Sequence, residues 1–497
     1  MVTPRFNMET LPRYQVSPMG ESVTATVSAK GGDAFSTGHA STAAYLFLVL
    51  DASHPMGNFG RHRLDGVTRV KLGRGERGVV RNGSTLQLAL PDRRASSQHA
   101  ELTLEADGWW IEDLRSKNGT VVGGAPVSRR KLFDGALIEI GHTFLRFRAE
   151  LAGASEAPLD LIPSSWSPPS PGLETLLPGL EGSFSELARM ATTQTPMMVL
   201  GETGTGKDVT AHAYHVLMGR PGPFIPVNCG ALPPSLIESA LFGHRRGSFS
   251  GATNDQLGLV RAAEGGTLFL DEIGDLHLES QAALLRVIQA GEVTPIGSIH
   301  PVRVDIRIVA ATHRDVRQMV RLGTFRADLF ARLSGHVLSL PPLRERIEDL
   351  GILVGAALRQ HAPARAASLE LDRDAARVLL RRKYPLNTRE LMNALSRAIT
   401  LSNGDVIGPK HLETEVLGSA PEAPAQEEVV VGGGTLPGAR SPAVRSATRL
   451  ARRAQLELLL TEHQGNVTDV AVALGKTRAM IYKWLKQEGI DPDLFRR

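Results

Sequence analysis

The 497-residue sequence predicts a multidomain protein of three blocks: an N-terminal all-β sandwich, a central α/β domain and a C-terminal all-α domain. Three observations carry this reading. Short apolar runs separated by turn residues recur from VTRVKLG through GSTLQLAL, HAELTLE, WWIEDL, NGTVVGG and ALIEIG to TFLRFR, the spacing of a β-sandwich. Buried-strand runs (MMVLG, TLFLDE, RIVAAT) then alternate with helical segments such as QAALLRVIQA, the signature of a parallel sheet. The last stretch is helical throughout.

The blocks span 44–149, 176–417 and 441–497. Stretches rich in Pro, Ala, Gly and Ser at 150–175 and 418–440 read as linkers, and 1–43 as a disordered tail with little to anchor it. A chain of this length exceeds what one core supports, at about 100–200 residues per domain. The composition is that of a soluble globular protein, 42% hydrophobic and 22% charged. Its longest apolar run, Ala43 to Leu50, is strand-sized and far below the ~20 residues of a membrane span, so no membrane is expected. Met1 to Lys30 shows no apolar signal region, and the single Cys229 excludes an internal disulfide. Cytoplasmic localisation and a small, buried Cys229 are the expectations. The whole chain carries +4, but 441–497 alone holds ten Lys/Arg against six Asp/Glu, a compact basic end that points to nucleic acid.

In the central block, Gly201-Glu202-Thr203-Gly204-Thr205-Gly206-Lys207 follows the apolar strand Met197 to Leu200 and opens a helix. That is the setting of a phosphate-binding loop: glycines turn backbone N–H groups inward, the helix N-terminus adds positive potential, and Lys207 reaches the β- and γ-phosphates. The Ser/Thr that usually follows the lysine is replaced by Asp208. Downstream, Thr267-Leu-Phe-Leu-Asp-Glu272 ends a buried strand in two carboxylates. Asp271 is the candidate ligand for Mg²⁺ and Glu272 the group that polarises the attacking water, since phosphoryl transfer needs mainly positioning and charge neutralisation.

From Gly201 to Leu391 this block resembles the AAA+ domain of bacterial enhancer-binding proteins, activators of RNA polymerase carrying sigma-54. GETGTGKD, GGTLFLDEIGDL, QAALLRVIQAGEVTPIG, VDIRIVAATHRDV and LPPLRER follow in the family's order. The family typically has an acidic residue after the lysine, where Asp208 stands. The resemblance implies that Asn228, in VNCGAL, contacts the catalytic Glu272. LFGHRRGSFSGA resembles the loop that presses on the sigma factor, here Gly247, Ser248, Phe249, Ser250, Gly251 and Ala252, with serines at 248 and 250 in place of alanine and threonine. In FRADLFARL, Arg326 and Arg332 look like arginine fingers that complete a neighbouring subunit's site, which implies a homo-oligomeric ring. KYPLNTREL resembles the second sensor and retains Arg389, with Leu386 where glycine is usual; His313 replaces an asparagine of the first.

The block 44–149 resembles a forkhead-associated (FHA) domain. Leu72-Gly-Arg74, Ser96-Ser-Gln-His99 and Leu114-Arg-Ser-Lys-Asn118-Gly-Thr arrive in that family's order. The resemblance implies a phosphothreonine protein as partner, with Arg74 and the Ser96 hydroxyl on the phosphate, Asn118 on the peptide backbone and His99 bracing the loops. At the C-terminus, Leu456, Leu459 and Leu460 line one helix, Asn466 starts a second, and Thr477 caps a third after Gly475. Val470, Leu474, Ile481 and Leu485 repeat at helical spacing, which leaves Arg478, Tyr482, Lys483 and Lys486 outward to meet double-stranded DNA. This end resembles the Fis-type helix-turn-helix of the same activators, which bind upstream enhancer sites.

The function these resemblances imply is ATP-driven remodelling of the sigma-54 RNA polymerase complex, gated by phosphothreonine recognition. A phosphopeptide-binding scaffold with a degenerate ATPase is the alternative, prompted by Asp208, His313 and Leu386. A chaperone-like remodeller is a third, which leaves the Phe249 loop and the helix-turn-helix unexplained.

Overall fold

The computed structural model describes residues 42–153, 157–231, 233–249, 251–402 and 404–412, with Leu460, Asn466, Val467, Asp469, Val470, Leu485 and Ile490 beyond them. Of the expected tail 1–43, residues 1–41 lie outside the described residues, while Thr42 and Ala43 open the strand Thr42–Asp51 rather than a tail; the 418–440 linker and Thr477, Arg478, Tyr482, Lys483 and Lys486 also lie outside the described residues. Of the expected C-terminal block, Leu460, Val467, Val470 and Leu485 are described and buried, and the Val470 amide donates to the Asn466 carbonyl.

The N-terminal block is a sandwich of two sheets. One has the strand order Asp160–Leu161, Gly60–Arg63, Thr42–Asp51, Thr143–Ala152, Leu137–Ile140, Thr120–Val122, Ala125–Val127. The other runs Arg129–Lys131, Gly108–Asp113, Ala100–Glu105, Arg69–Arg74, Thr85–Leu90, Gly78–Asn82. Leu46, Leu48, Val70, Leu72, Leu88, Ile111, Ile138 and Phe147 fill the space between them. The run Ala43 to Leu50 is apolar at every position because Thr42–Asp51 is buried on both faces. Leu46 and Leu48 face the sandwich core, while Tyr45, Phe47 and Val49 face helices of the next block.

The central block has a five-stranded parallel sheet in the order Phe224–Asn228, Thr267–Asp271, Arg307–Thr312, Met197–Leu200, His336–Ser339. Helix Pro178–Met190 packs Leu180, Phe184 and Leu187 against Met197, Val199 and Leu338 of that sheet. A helical lid follows: Leu350–His361, Arg373–Arg381 and Asn387–Leu401. Helix Arg373–Arg381 shows why it lies where it does. Ala375, Ala376, Leu379 and Leu380 are buried, while Arg373, Arg377 and Arg381 recur every fourth residue on another face. That arginine face meets the sandwich: Arg373 and Arg377 reach Glu139 at 3.3 and 2.7 Å, and Arg381 crowds Gly124.

The sequence treats 150–175 as a tether, but its described residues are packed down. Asp160–Leu161 adds a strand beside Gly60–Arg63, and Asp160 takes hydrogen bonds from His62 (2.7 Å) and Arg81 (2.5 Å). Leu161, Leu173 and Leu176 are buried. Burial of these apolar side chains, each contributing about 1.5–3 kcal/mol, outweighs the freedom that Pro and Ser composition suggests. Sandwich and lid therefore share one core, in which Tyr45, Phe47, Val49 and Phe144 meet Leu350, Val354, Leu358, Leu379 and Leu395.

Candidate functional site

The loop Gly201–Gly206 leaves the sheet at the carboxyl end of Met197–Leu200 and enters helix Lys207–Met218. Gly206 caps that helix at φ 99°, and Gly204 has φ 78°. Both need glycine, since other residues pay a steric cost at positive φ. Gly204 has a second reason: a Cβ there would overlap the Leu386 carbonyl and come within 3.0 Å of the Arg389 Cβ. Lys207 is buried, and its Nζ donates to the carbonyls of Gly201 (3.0 Å) and Glu202 (3.3 Å). Asp208 points to solvent from the first turn.

The lid grips this loop through residues to which the sequence reading gave no role. Asn387 donates to the Glu202 carboxylate (3.2 Å) and the Thr203 carbonyl (3.0 Å), and Thr388 donates to the Gly204 carbonyl (2.5 Å). Arg344 forks onto Glu202 at 2.6 and 2.8 Å, and that hydrogen bonding holds the Glu202 carboxyl down to about 2. Arg346, a buried guanidinium whose pKa is lowered by desolvation, donates to the Thr205 carbonyl at 2.6 Å. The expected nucleotide ligand Glu202 thus spends its side chain on tying the loop to the lid. A cavity of about 260 Å³ opens beside it, between Thr205, Gly206 and Thr210 on one wall and Arg346, Leu353 and Met392 on the other. The LPPLRER and NTREL segments were the signal for these ties, but their partners lie 141 to 185 residues away.

Asp271 and Glu272 end the strand Thr267–Asp271. Burial and then the neighbouring Glu272 charge push the Asp271 carboxyl above its ordinary value. Glu272 sits in the left-handed region at φ 51° and lies 3.7 Å from Lys207. Its carboxylate accepts from the His313 ring Nδ1 (2.8 Å) and the His313 amide (3.3 Å). Burial raises its pKa, but the His313 hydrogen bond and the Lys207 charge outweigh that, and the net shift is downward. The expected Asn228–Glu272 contact is replaced. Asn228 Oδ1 instead accepts from the Gly230 amide (2.9 Å), which closes the short turn after its strand, and His313 takes the glutamate. Cys229 is buried as expected, and burial pushes its thiol up to about 12. Among the described residues, no cluster of three His, Cys, Asp or Glu side chains forms a self-contained metal cage.

Arg326 precedes helix Ala327–Leu333, which buries Leu329 and Leu333. The Arg326 amide is held by the buried Gln281 (2.9 Å), and its guanidinium forks onto Asp328 at 3.0 and 2.7 Å. Arg332 is exposed, with no hydrogen bond or ion pair among the described residues. Arg389 begins near the loop, its amide 3.4 Å from the Gly204 carbonyl.

The 247–252 loop is closed on itself. Gly247 and Ala252 are joined by a 2.8 Å hydrogen bond, the Ala252 amide returns to the Phe249 carbonyl at 3.0 Å, and Ser248 Oγ donates to the Arg245 carbonyl at 2.7 Å. Gly247 (φ 80°) and Gly251 (φ 111°) permit the two reversals; Ser250 lies outside the described residues. Phe249 is 41% exposed and rests edge-on on His244, with centroids 4.9 Å apart. A second loop lies against it: Ile296 exchanges backbone hydrogen bonds with Arg245 and Gly243, and Ile299 at its tip is 87% exposed.

In the sandwich, Arg74, Ser96 and Asn118 come together at one end. The Arg74 amide donates to the Ser96 carbonyl (2.8 Å), Ser96 Oγ accepts from the Lys117 amide (3.0 Å), and Asn118 Nδ2 donates to the Arg94 carbonyl (2.7 Å). His99 is fully buried, which lowers its pKa. Its Nδ1 accepts from the Ser96 amide (3.0 Å), which leaves Nε2 to donate to the Gly119 carbonyl (3.2 Å), so the neutral ring braces two loops. Gly73 cannot be replaced, because a Cβ there would overlap the Ser97 carbonyl.

Family models match three stretches: the Sigma-54 interaction domain over 177–339, the FHA domain over 70–141 and the AAA+ ATPase lid domain over 344–429. The chain is 46% identical over 252 residues to the DNA-binding transcriptional regulator NtrC of Azospirillum brasilense, covering 50% of this chain and 52% of that protein. It is 40% identical over 360 residues to the response regulator protein PilR of Pseudomonas aeruginosa, covering 72% of this chain and 76% of that protein. Regulatory protein AtoC of Escherichia coli is 40% identical over 318 residues, covering 63% of this chain and 67% of that protein. The chain thus spans about half the length of NtrC. No described helix is long and apolar enough to cross a membrane. With a Sigma-54 interaction domain, an AAA+ lid and these relatives, the chain belongs to the NtrC-type sigma-54 activators, and it carries an FHA domain in front.

Proposed function

We propose that the protein is an ATP-hydrolysing activator of sigma-54 RNA polymerase, working as a homo-oligomeric ring on upstream double-stranded DNA in the cytoplasm. The observation that carries this reading is the meeting of Lys207, Asp271 and Glu272 at the carboxyl ends of the parallel strands, where open α/β sheets bind ligands. On nucleotide binding, Lys207 exchanges its two carbonyl partners for phosphate oxygens, and the base enters the cavity between Thr210 and Met392. Asp271 is the residue to hold Mg²⁺, which supplies charge neutralisation at the phosphates. Glu272 orients a water whose oxygen bonds to the γ-phosphorus as the bond to the β–γ bridging oxygen breaks. It accepts that water's proton, and ADP leaves with the bond's electron pair.

The Gly247–Ala252 loop is proposed to deliver the resulting motion to the sigma factor, with Phe249 as its apolar tip. Phe249→Ala is expected to hydrolyse ATP at the wild-type rate and yet fail to open promoters, measured as permanganate-reactive thymines in promoter DNA. Promoter opening by that variant would remove the loop from the account.

The FHA domain is proposed to read a phosphothreonine protein, with Arg74 and Ser96 on the phosphate and Asn118 on the peptide. A charge-assisted hydrogen bond contributes about 1.5–3 kcal/mol, so Arg74→Ala should weaken phosphothreonine-peptide binding about 10- to 100-fold. Calorimetric titration against the unphosphorylated peptide measures it, and an unchanged affinity would discard the pocket. Thr477, Arg478, Tyr482, Lys483 and Lys486 are the proposed DNA contacts.

A further inference from the structure

Four consecutive residues, Arg346-Ile347-Glu348-Asp349, connect three parts of the molecule. Arg346 donates to the Thr205 carbonyl of the nucleotide loop and lines the adjoining cavity. Glu348, 1% exposed, receives Arg146 (3.1 Å) and Arg148 (2.8 Å) from the sandwich strand Thr143–Ala152. Asp349, also buried, accepts from Thr175 Oγ1 (2.9 Å) and the Leu176 amide (2.6 Å).

The sandwich also holds both walls of the cavity. On the lid side stand the Glu348 pairs and Glu139, which takes Arg373 and Arg377. On the sheet side, the fully buried Arg61 donates to the Leu176 carbonyl (3.0 Å) and lies 2.8 Å from Glu181 of helix Pro178–Met190. Widening the cavity by moving the lid away from the sheet therefore requires breaking one of these sets. Glu139 Oε1 and Glu348 Oε2 are buried without a hydrogen-bond partner among the described residues and regain water on separation, which offsets part of the cost of parting the apolar core that the two blocks share. The desolvation of both charges offsets much of the attraction within a buried ion pair.

The same hairpin, Leu137–Ile140 with Thr143–Ala152, accounts for Glu139, Arg146 and Arg148 and is fastened to the loop of Ser96. Asp92 accepts from the His142 amide (2.6 Å), Thr143 Oγ1 (3.1 Å) and the Arg94 amide (2.8 Å), and Arg94 in turn accepts from Asn118. The clasp and the candidate peptide loops are thus one hydrogen-bonded unit.

We propose that Arg346 and Glu348 are positioning residues of the nucleotide site, and that the FHA domain clasps the lid to the parallel sheet so that nucleotide release waits on undocking. This rests on the ATP-binding reading above. Gly351 supplies a wedge: it lies in the first turn of helix Leu350–His361, and the nearest atoms that a Cβ there would meet are the Val49 carbonyl and Leu50 Cα of the sandwich.

The test is stopped-flow release of a fluorescent ADP analogue from full-length wild type, Gly351→Ala and Glu139→Gln, with folding checked by circular dichroism. Release about five- to tenfold faster in the variants is expected, because changes within one site appear mainly in koff. If Gly351→Ala does not fold, Glu139→Gln decides alone. Binding with unchanged or slower release overturns the clasp. No binding by wild type overturns the nucleotide reading and the clasp with it.

Discussion

Glu272→Gln is expected to bind ATP with near wild-type affinity while turnover falls about 10²- to 10⁴-fold, the usual worth of a positioned general base. The geometry makes the substitution selective. Glu272 meets the nucleotide loop through Lys207 at 3.7 Å and takes no part in the Arg346 and Asn387 ties, so glutamine leaves those ties and the adjoining cavity in place. What it removes is the charge that accepts a proton from water. A coupled phosphate-release assay beside a fluorescent nucleotide titration separates the two effects, and hydrolysis at the wild-type rate would end the assignment. His313 enters the same experiment, because its ring holds the Glu272 carboxylate at 2.8 Å.

Arg332→Ala should cost about 10³- to 10⁵-fold in turnover, the range for an arginine finger. Arg332 is the better placed of the two candidates. The Arg326 guanidinium is engaged by Asp328 two residues on, whereas Arg332 is exposed and without a partner among the described residues. A cation of this kind gains most from an anion supplied by another subunit. That arrangement has a specific signature: Arg332→Ala and Glu272→Gln should each be inactive alone, and mixing them should restore a fraction of the activity. In a mixed ring an intact Glu272 site can borrow Arg332 from its neighbour. Failure of every mixture to recover turnover would contradict fingers acting between subunits.

Local pattern made much of this legible before any coordinates. The Gly201–Lys207 loop, the Asp271–Glu272 strand end and the Arg74–Ser96–Asn118 cluster all depend on spacing within a few residues of a strand, and the structure brings each set together. What stayed hidden depends on contacts distant in sequence. Nothing near Arg346 says that it meets Thr205, and nothing near Glu139 says that Arg377, 238 residues away, neutralises it. His313 was visible as a departure from the family pattern, but its partner Glu272 is 41 residues earlier. The run Ala43 to Leu50 read as strand-sized and lies within the strand Thr42–Asp51, while its second buried face was set by lid helices whose docking no periodicity encodes. Composition misled at 150–175, where Leu161, Leu173 and Leu176 decide the outcome against the surrounding prolines and serines.

Promoter opening tests the central claim most directly. Purified full-length protein is mixed with sigma-54 RNA polymerase and promoter DNA carrying its upstream site, and strand separation is followed by permanganate reactivity with ATP or a non-hydrolysable analogue. The account predicts separation with ATP alone. ATP hydrolysis that never separates the strands, or separation with the analogue as well, would contradict it.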